Sequence, residues 1–243
     1  MRHQLAVGCV SLIMMGFVVT SISFAELLFV DNFESDVAGK PPKNWVIGFD
    51  GIDDAQVIKD PQRANNLVFS SPTERHDVGG AIYVTGQGEA WTDYYVQWEM
   101  LFLKDFYMGI VFRFSDGESF YLLDRRQNTS KLDFWKRQGG WENFGSSEVL
   151  DLSVETWFAF QLKVAGADFE VKMKKAKDNT EFDKLDPVLE GDNKNFDKGD
   201  FGNYGFVLLD NVVVATDLAD FKNPFAVSPN GNLVMTWAYV KQR

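Results

Sequence analysis

Regular alternation of apolar and polar residues limits the fold of this 243-residue chain more than any other feature. In the segment 94–102, Val96 and Trp98 alternate with Gln97 and Glu99. Because successive side chains of a β-strand point to opposite faces, this pattern predicts a half-buried strand. The same alternation recurs in the segments 108–114, 119–124, 131–137, 157–164 and 169–173.

Short sequences rich in Gly and Asp separate these segments, as they do in β-hairpins. They are Ser115-Asp116-Gly117, Gln138-Gly139-Gly140 and Ala165-Gly166-Ala167-Asp168. No window before the C-terminal end shows a helical periodicity bounded by caps. We therefore predict an all-β domain over residues 26–222, a two-sheet antiparallel sandwich with surface loops in the polar stretch 174–200.

The first 25 residues have the three parts of a secretory signal peptide. Arg2 gives a basic start, the stretch 5–19 is apolar, and the small residues Ser23 and Ala25 precede Glu26. Cleavage after Ala25 would make this a secreted, periplasmic or cell-envelope protein without a membrane span. An uncleaved N-terminal anchor is the alternative.

A C-terminal tail, residues 223–243, follows a change in pattern. It opens with breaker sequences, Asn223-Pro224 and Ser228-Pro229-Asn230-Gly231. The stretch from Leu233 onward fits a strand or a short helix, and the sequence does not decide between them. We expect this tail to pack on the sandwich or to remain free.

Charge and residue counts exclude several classes of function. The chain has 24 Lys and Arg against 35 Asp and Glu, a formal net charge of −11, so it lacks the basic surface of a nucleic-acid-binding protein. Its one Cys, Cys9, and one of its two His lie in the predicted signal peptide. A mature chain without Cys and with His76 alone has no disulfide, no thiol chemistry and no Cys/His metal site.

The turn lengths allow a prediction of strand register. We expect Phe114 to pair with Phe120, and Arg126 to pair with Leu132. One face of the sheet then carries the apolar residues Phe112, Phe114, Phe120, Leu122, Leu132 and Phe134. The other carries Arg113, Tyr121, Arg125, Asp133, Trp135 and Arg137, joined from other strands by Gln97, Glu99 and Gln161. A slip by one residue would expose the Phe side chains, so this register is favoured.

A polar sheet face with Trp and Tyr in it is suited to saccharides. The apolar face of a sugar ring stacks on aromatic rings, and its hydroxyl groups bind Arg, Asp and Gln side chains. The candidate ligand-binding residues are Gln97, Arg113, Tyr121, Arg125, Asp133, Trp135, Arg137 and, at the rim, Trp141. Trp98 is expected in the core. The alternative is a solvated face whose Arg–Asp pairs bind nothing and contribute little stability.

Three motifs in a fixed order carry a family resemblance. They are Trp91-Thr92-Asp93-Tyr94-Tyr95-Val96-Gln97-Trp98-Glu99, Gly109-Ile110-Val111-Phe112-Arg113-Phe114 and Ser119-Phe120-Tyr121-Leu122-Leu123. Over roughly residues 29 to 222 the chain resembles the concanavalin A-like lectin/glucanase superfamily. It is most similar to the laminin-G-like and keto-disaccharide-hydrolase-type domains of exported bacterial proteins. The resemblance implies a jelly-roll sandwich whose concave sheet binds carbohydrate.

The resemblance also implies a metal site. In some members of the superfamily the opening and closing strands share a structural calcium, for which Asp31, Glu34 and Asp217 would supply oxygen ligands here. The alternative, which the sequence favours, is that these residues are solvated turn carboxylates. No other cofactor is expected.

Catalytic motifs are weak. Retaining glucanases of this superfamily carry two Glu around an Asp on one strand, whereas Glu34-Ser35-Asp36 is followed by no second Glu. A Ser-His-Asp triad would have His76 as its only candidate base. The remaining enzymatic alternative is a keto-glycoside hydrolase or lyase with Glu99 or Asp133 as base beside Arg113.

Three functions therefore stay open. A non-catalytic module that binds poly- or oligosaccharide is favoured. The keto-glycoside enzyme and a structural or adhesive envelope protein are the alternatives.

Overall fold

The computed structural model describes residues 26–49, 55–71, 82–222 and 224–225. The predicted signal peptide, His76 and nearly all of the predicted C-terminal tail lie outside these residues, so the domain boundaries stay predictions. Among the described residues, no helix has the length and apolar character needed to cross a membrane.

The described residues form two antiparallel sheets and three single-turn 3₁₀ helices. One sheet has eight strands in the order β13-β12-β11-β6-β15-β4-β3, with β1 pairing beside β4 on β15. The other has seven strands in the order β10-β9-β8-β7-β14-β5-β2. The strands are β1 (Leu27–Asp31), β2 (Val46–Phe49), β3 (Gln56–Lys59), β4 (Leu67–Ser71), β5 (Ile82–Val84), β6 (Tyr94–Phe102), β7 (Met108–Asp116), β8 (Ser119–Arg126), β9 (Lys131–Arg137), β10 (Trp141–Ser146), β11 (Trp157–Ala165), β12 (Asp168–Lys175), β13 (Leu189–Asp192), β14 (Asp200–Gly205) and β15 (Val207–Ala215). The 3₁₀ helices are Gly88–Ala90, Phe182–Lys184 and Leu218–Phe221.

These sheets confirm the predicted all-β jelly-roll sandwich. All six alternating segments of the sequence are strands, β6 to β9, β11 and β12. The polar stretch 174–200 consists mainly of loops, with one short edge strand, β13.

The main hydrophobic core lies between the sheets. Trp98 is 1% exposed and stacks on Phe160 at 5.1 Å between ring centroids, as predicted for a core residue. Phe169 of β12 links the two sheets, with its ring 5.1 Å from that of Phe112 and 6.0 Å from that of Phe134. Both partners belong to the seven-stranded sheet.

The predicted register of both hairpins is wrong by one residue. Phe112 pairs with Tyr121 rather than Leu122, and Arg126 pairs with Lys131 rather than Leu132. In the first hairpin, Arg113 has a left-handed φ of +46° inside a bulge of β7, which adds residues to one strand only. In the second, Asn128 at φ +62° helps to close a shorter loop than predicted.

This shift changes which residues share a face. The inner face of the seven-stranded sheet carries Phe112, Tyr121, Leu123, Leu132 and Phe134. The outer face carries Val111, Phe114, Phe120, Leu122 and Trp135. Both faces are apolar in this part of the sheet, and Phe114 and Phe120 are buried on the outer face, so the Phe side chains do not select one register.

Candidate functional site

A row of four residues crosses the outer face of the seven-stranded sheet. The register aligns Tyr204 of β14, Gly109 of β7, Asp124 of β8 and Asp133 of β9. A Cβ at Gly109 would lie 1.9 Å from the carbonyl oxygen of Leu123, so the close approach of β7 and β8 requires glycine. Gly109 therefore contributes no side chain to the row, and a gap is left between Tyr204 and Asp124.

A depression of about 230 Å³ occupies this region, and we call it the β8–β9 pocket. Aromatic, charged and apolar side chains line it: Tyr107, Leu122, Asp124, Arg126, Trp135, Trp141 and Tyr204. They come from the outer faces of neighbouring strands and from the segment before β7.

Arg126 is fixed at the centre of the charged residues. Its Nη1 donates to Asp124 Oδ2 at 3.1 Å, and its Nε lies 3.7 Å from Asp133 Oδ2. The guanidinium carbon lies 4.4 Å from the ring centroids of both Tyr107 and Trp135. An arginine held by two carboxylates and two rings is pre-organised.

Several buried polar atoms near this arginine have no partner. Within the described part of the chain, Asp124 Oδ1, Asp133 Oδ1 and Trp135 Nε1 form no hydrogen bond, and neither does Arg137 Nε. A buried polar atom without a partner destabilises the protein by roughly 1–3 kcal/mol. The cluster thus combines unsatisfied acceptors and donors beside a pocket, which is what a ligand with several hydroxyl groups would satisfy.

The carboxyl group of Asp124 has a raised pKa. Burial raises its pKa from 3.8 to about 7, Arg126 partly opposes this, and the charge of Asp133 raises it further. Near neutral pH its carboxyl group therefore exists in both forms, and it can either donate or accept a hydrogen bond.

Trp141 of β10 forms one wall of the pocket. Its ring meets those of Phe120 and Tyr204 edge-on, at 5.8 Å and 6.2 Å. Arg137, its cross-strand partner, lies 5.2 Å from the ring and is itself held by Glu118 at 2.8 Å. These contacts hold the indole against the rim.

Four of the eight predicted ligand-binding residues lie together on this outer face. Two of them, Trp135 and Trp141, line the pocket. The other two, Asp133 and Arg137, flank it on β9.

Three others lie on the inner side of the sheet. Arg113, 2% exposed, donates to the carbonyl oxygens of Thr92 and Phe196. The hydroxyl of Tyr121 donates to Asn193 Oδ1 at 2.9 Å. A one-residue register shift moves these side chains to the opposite face from the predicted one. There they hold connecting segments in place.

Arg125 is the third of these inner residues. Its Nη1 donates to Asp105 Oδ1 at 2.7 Å, and its guanidinium lies 5.5 Å from the ring of Phe102 in the core. The eighth predicted residue, Gln97, lies on the outer face of the other sheet, opposite Gln161.

Asp124, Arg126, Tyr107 and Tyr204 line the pocket but were not predicted from the sequence. The available signal was the pair Asp124 and Arg126, which the correct register places on one face with Asp133.

The residues of the enzymatic alternative lie apart. Glu99 is on the outer face of the eight-stranded sheet, where it accepts a hydrogen bond from Arg63. Arg113 is on the inner side of the seven-stranded sheet and Asp133 on its outer side. No two of Glu99, Arg113 and Asp133 thus share a site.

The proposed calcium ligands are also separated. Asp31 pairs with Val212 at one end of β1, whereas Leu27 pairs with Ala215 at the other end, and Asp217 follows Ala215 in the chain. At about 3.3 Å per residue, the length of β1 separates Asp31 from Asp217 by about 13 Å or more. Asp31 accepts from the Trp45 indole, Glu34 from the Leu67 amide, and Asp217 from the Ala219 amide. Among the residues with described positions, no group of three His, Cys, Asp or Glu is placed to hold a metal ion.

Comparisons with known proteins bear on the fold. No protein-family model matches the chain, and no curated protein matches it. A Bacillus subtilis protein of unknown function with a galectin-like fold is similar in structure, with a TM-score of 0.52 at 12% identity, over 77% of this chain and 94% of that one. The carbohydrate binding module CBM66 from Bacillus subtilis has a TM-score of 0.50 at 12% identity, over 72% of this chain and 96% of that one.

An enzyme shares the fold in part of its length. Xylan β-1,4-xylosidase from Bacillus halodurans has a TM-score of 0.51 at 10% identity, over 77% of this chain and 39% of that one. At such low identities these likenesses establish the architecture alone, a jelly-roll β-sandwich.

Proposed function

We propose that this protein is a non-catalytic, exported saccharide-binding module and that the β8–β9 pocket is its binding site. The observation that carries the proposal is the cluster of unpartnered buried atoms, Asp124 Oδ1, Asp133 Oδ1 and Trp135 Nε1. Two acceptors and a donor around a fixed arginine match the hydroxyl groups of a sugar ring. Trp135 and Trp141 supply the apolar surface on which such a ring stacks.

Similarity to other structures supports the same class of ligand. One structural neighbour is a carbohydrate-binding module, and another has a galectin-like fold. The proposed site differs from the one that the family resemblance implied, because Asp124 and Arg126 take the place of Arg113, Tyr121 and Arg125, whose side chains lie on the inner side of the sheet.

Binding to an array of neutral and acidic oligosaccharides, followed by calorimetry on the best ligand, tests the proposal. We expect Trp135→Ala to weaken binding at least tenfold, because it removes both the ring and the indole donor. Trp135→Phe keeps a ring and should weaken binding less. Asp133→Asn should also weaken binding, whereas Asp168→Asn, an exposed carboxylate on the other sheet, serves as the matched control.

Equal binding by wild type and the folded Trp135→Ala variant would overturn the assignment of the pocket. A second candidate function, glycoside hydrolysis, is favoured by one observation, the raised pKa of Asp124 next to Asp133. Reducing ends measured in the same samples distinguish the two functions, and a binding module releases none.

A further inference from the structure

The outer face of the eight-stranded sheet carries a second, larger depression. Its volume is about 700 Å³, and it spans four neighbouring strands, β12, β11, β6 and β15. One wall is formed by the segment around Phe182 and the other by the 3₁₀ helix Leu218–Phe221 with Phe225. We call it the Gln97–Gln161 trough, after two residues of its floor.

Two amide side chains form the polar part of the floor. Gln97 and Gln161 are directly opposed across β6 and β11, with Val213 next to Gln97 on β15. Gln161 is only 6% exposed. Neither side-chain amide forms a hydrogen bond with any other part of the described chain. Neither amide is among the fully buried polar atoms that lack a partner, so both reach the open space of the trough, where they can donate to and accept from a polar ligand.

The position of the trough argues against a polypeptide ligand. An extended peptide binds through its backbone at a free sheet edge, whereas the trough crosses the face of four hydrogen-bonded strands. An amphipathic helix requires an apolar floor, and this floor carries Gln97 and Gln161.

A neutral saccharide fits the same surface. Each Gln amide offers both donors and an acceptor, which match hydroxyl groups that also donate and accept. The rings of Phe182 and Phe221 provide apolar walls, and the volume lies in the range of about 300–1,000 Å³ typical of ligand sites.

We propose that the Gln97–Gln161 trough is a second saccharide-binding site. It lies on the opposite outer face of the sandwich from the β8–β9 pocket, so that one molecule can hold two glycan segments at once. This inference takes its class of ligand, saccharides, from the proposed function. The residues that would bind the ligand are different and lie on the other sheet. Binding at two faces would raise the affinity for a polymeric glycan beyond that of either site.

Separate inactivation of the two sites tests the proposal on the full chain. The probe is an array of neutral poly- and oligosaccharides, with calorimetry on those that bind. We expect Trp135→Ala to retain binding to some of these glycans, and the added change Gln161→Leu to abolish that residual binding. Gln56→Leu is the matched control, because Gln56 is a partly exposed amide on edge strand β3 outside the trough.

The possible results separate the two proposals. If Trp135→Ala abolishes all glycan binding, or if Gln161→Leu has no effect on the residual binding, the trough is not a saccharide site although the pocket stands. If Gln161→Leu abolishes binding that Trp135→Ala leaves unchanged, the trough stands and the pocket does not. Beads coated with a bound polysaccharide give a second readout, because wild type should cross-link them and either single variant should not.

Discussion

Asp124 shows how one backbone register determines the chemistry of a side chain. Its neighbours across the strands are Gly109, which has no side chain, and Asp133, which is acidic. The carboxyl group is 1% exposed, and Arg126 is the only cation that bonds it among the described residues. Burial with partial compensation accounts for a pKa of about 7.

This pKa predicts a pH dependence of stability. In the folded protein Asp124 keeps its proton up to about pH 7, whereas in the unfolded chain it loses the proton near pH 4. Stability from this group is therefore present at low pH and lost as pH rises from about 4 to 7, by at most roughly 4 kcal/mol. Urea denaturation of Asp124→Asn should show a smaller decline in the free energy of unfolding between pH 5 and pH 8 than wild type.

Asp168→Asn, which changes an exposed carboxylate, should keep the wild-type dependence. If Asp124→Asn and wild type lose the same stability between pH 5 and pH 8, the assigned pKa is wrong.

Ion pairs of Arg63 hold the loop between β3 and β4 against the eight-stranded sheet. Arg63 folds back over the eight-stranded sheet and bonds three carboxylates, Asp60, Glu99 and Asp210. Its guanidinium carbon also lies 4.0 Å from the ring centroid of Trp157. Asp60 and Asp210 have fully buried side chains, so both depend on this arginine.

Arg63→Met should therefore destabilise the protein by about 3 kcal/mol, since it leaves buried carboxylates without their cation. Adding Asp210→Asn should recover part of that loss, because it removes one of the stranded charges. Urea denaturation of the single and double variants measures the coupling. Lys59→Met, at an exposed position of β3, should change little, and an equal loss in that control would contradict the assigned role of Arg63.

The sequence predicted the positions of individual strands, but it did not predict the register in which they pair. Alternation defined β6 to β9, β11 and β12, because each has an apolar inner face that packs in the core. The bulge at Arg113 leaves no trace in that alternation, since Val111 and Phe114 on the outer face are as apolar as Phe112 on the inner face. Three of the eight predicted ligand-binding residues, Arg113, Tyr121 and Arg125, were consequently placed on the wrong side of the sheet.

At the scale of the whole molecule, one core joins the sheets. Phe169 of the eight-stranded sheet contacts Phe112, Tyr121 and Phe134 of the seven-stranded sheet, and Phe144 of β10 as well. The guanidinium carbon of Arg113, also in the seven-stranded sheet, lies 5.4 Å from the centroid of the Phe169 ring. The sheets are thus expected to unfold together.

Phe169→Ala should lower the free energy of unfolding by about 3–5 kcal/mol, through lost burial and the cavity left behind. The transition should stay single, with coincident urea curves from tryptophan fluorescence and far-UV circular dichroism. Phe169→Leu should lose less. Separate transitions for the two probes would show that the sheets unfold independently.

The central position of β15 has a consequence for biosynthesis. This late strand pairs with β6 on one side and with β1 and β4 on the other, so that Leu27 meets Ala215. During synthesis β1 emerges early without a partner strand, and β4 can pair only with β3 until Val207–Ala215 is made. Most of the chain must therefore be synthesised before the eight-stranded sheet can be completed, which makes this sheet a late-forming part of the fold.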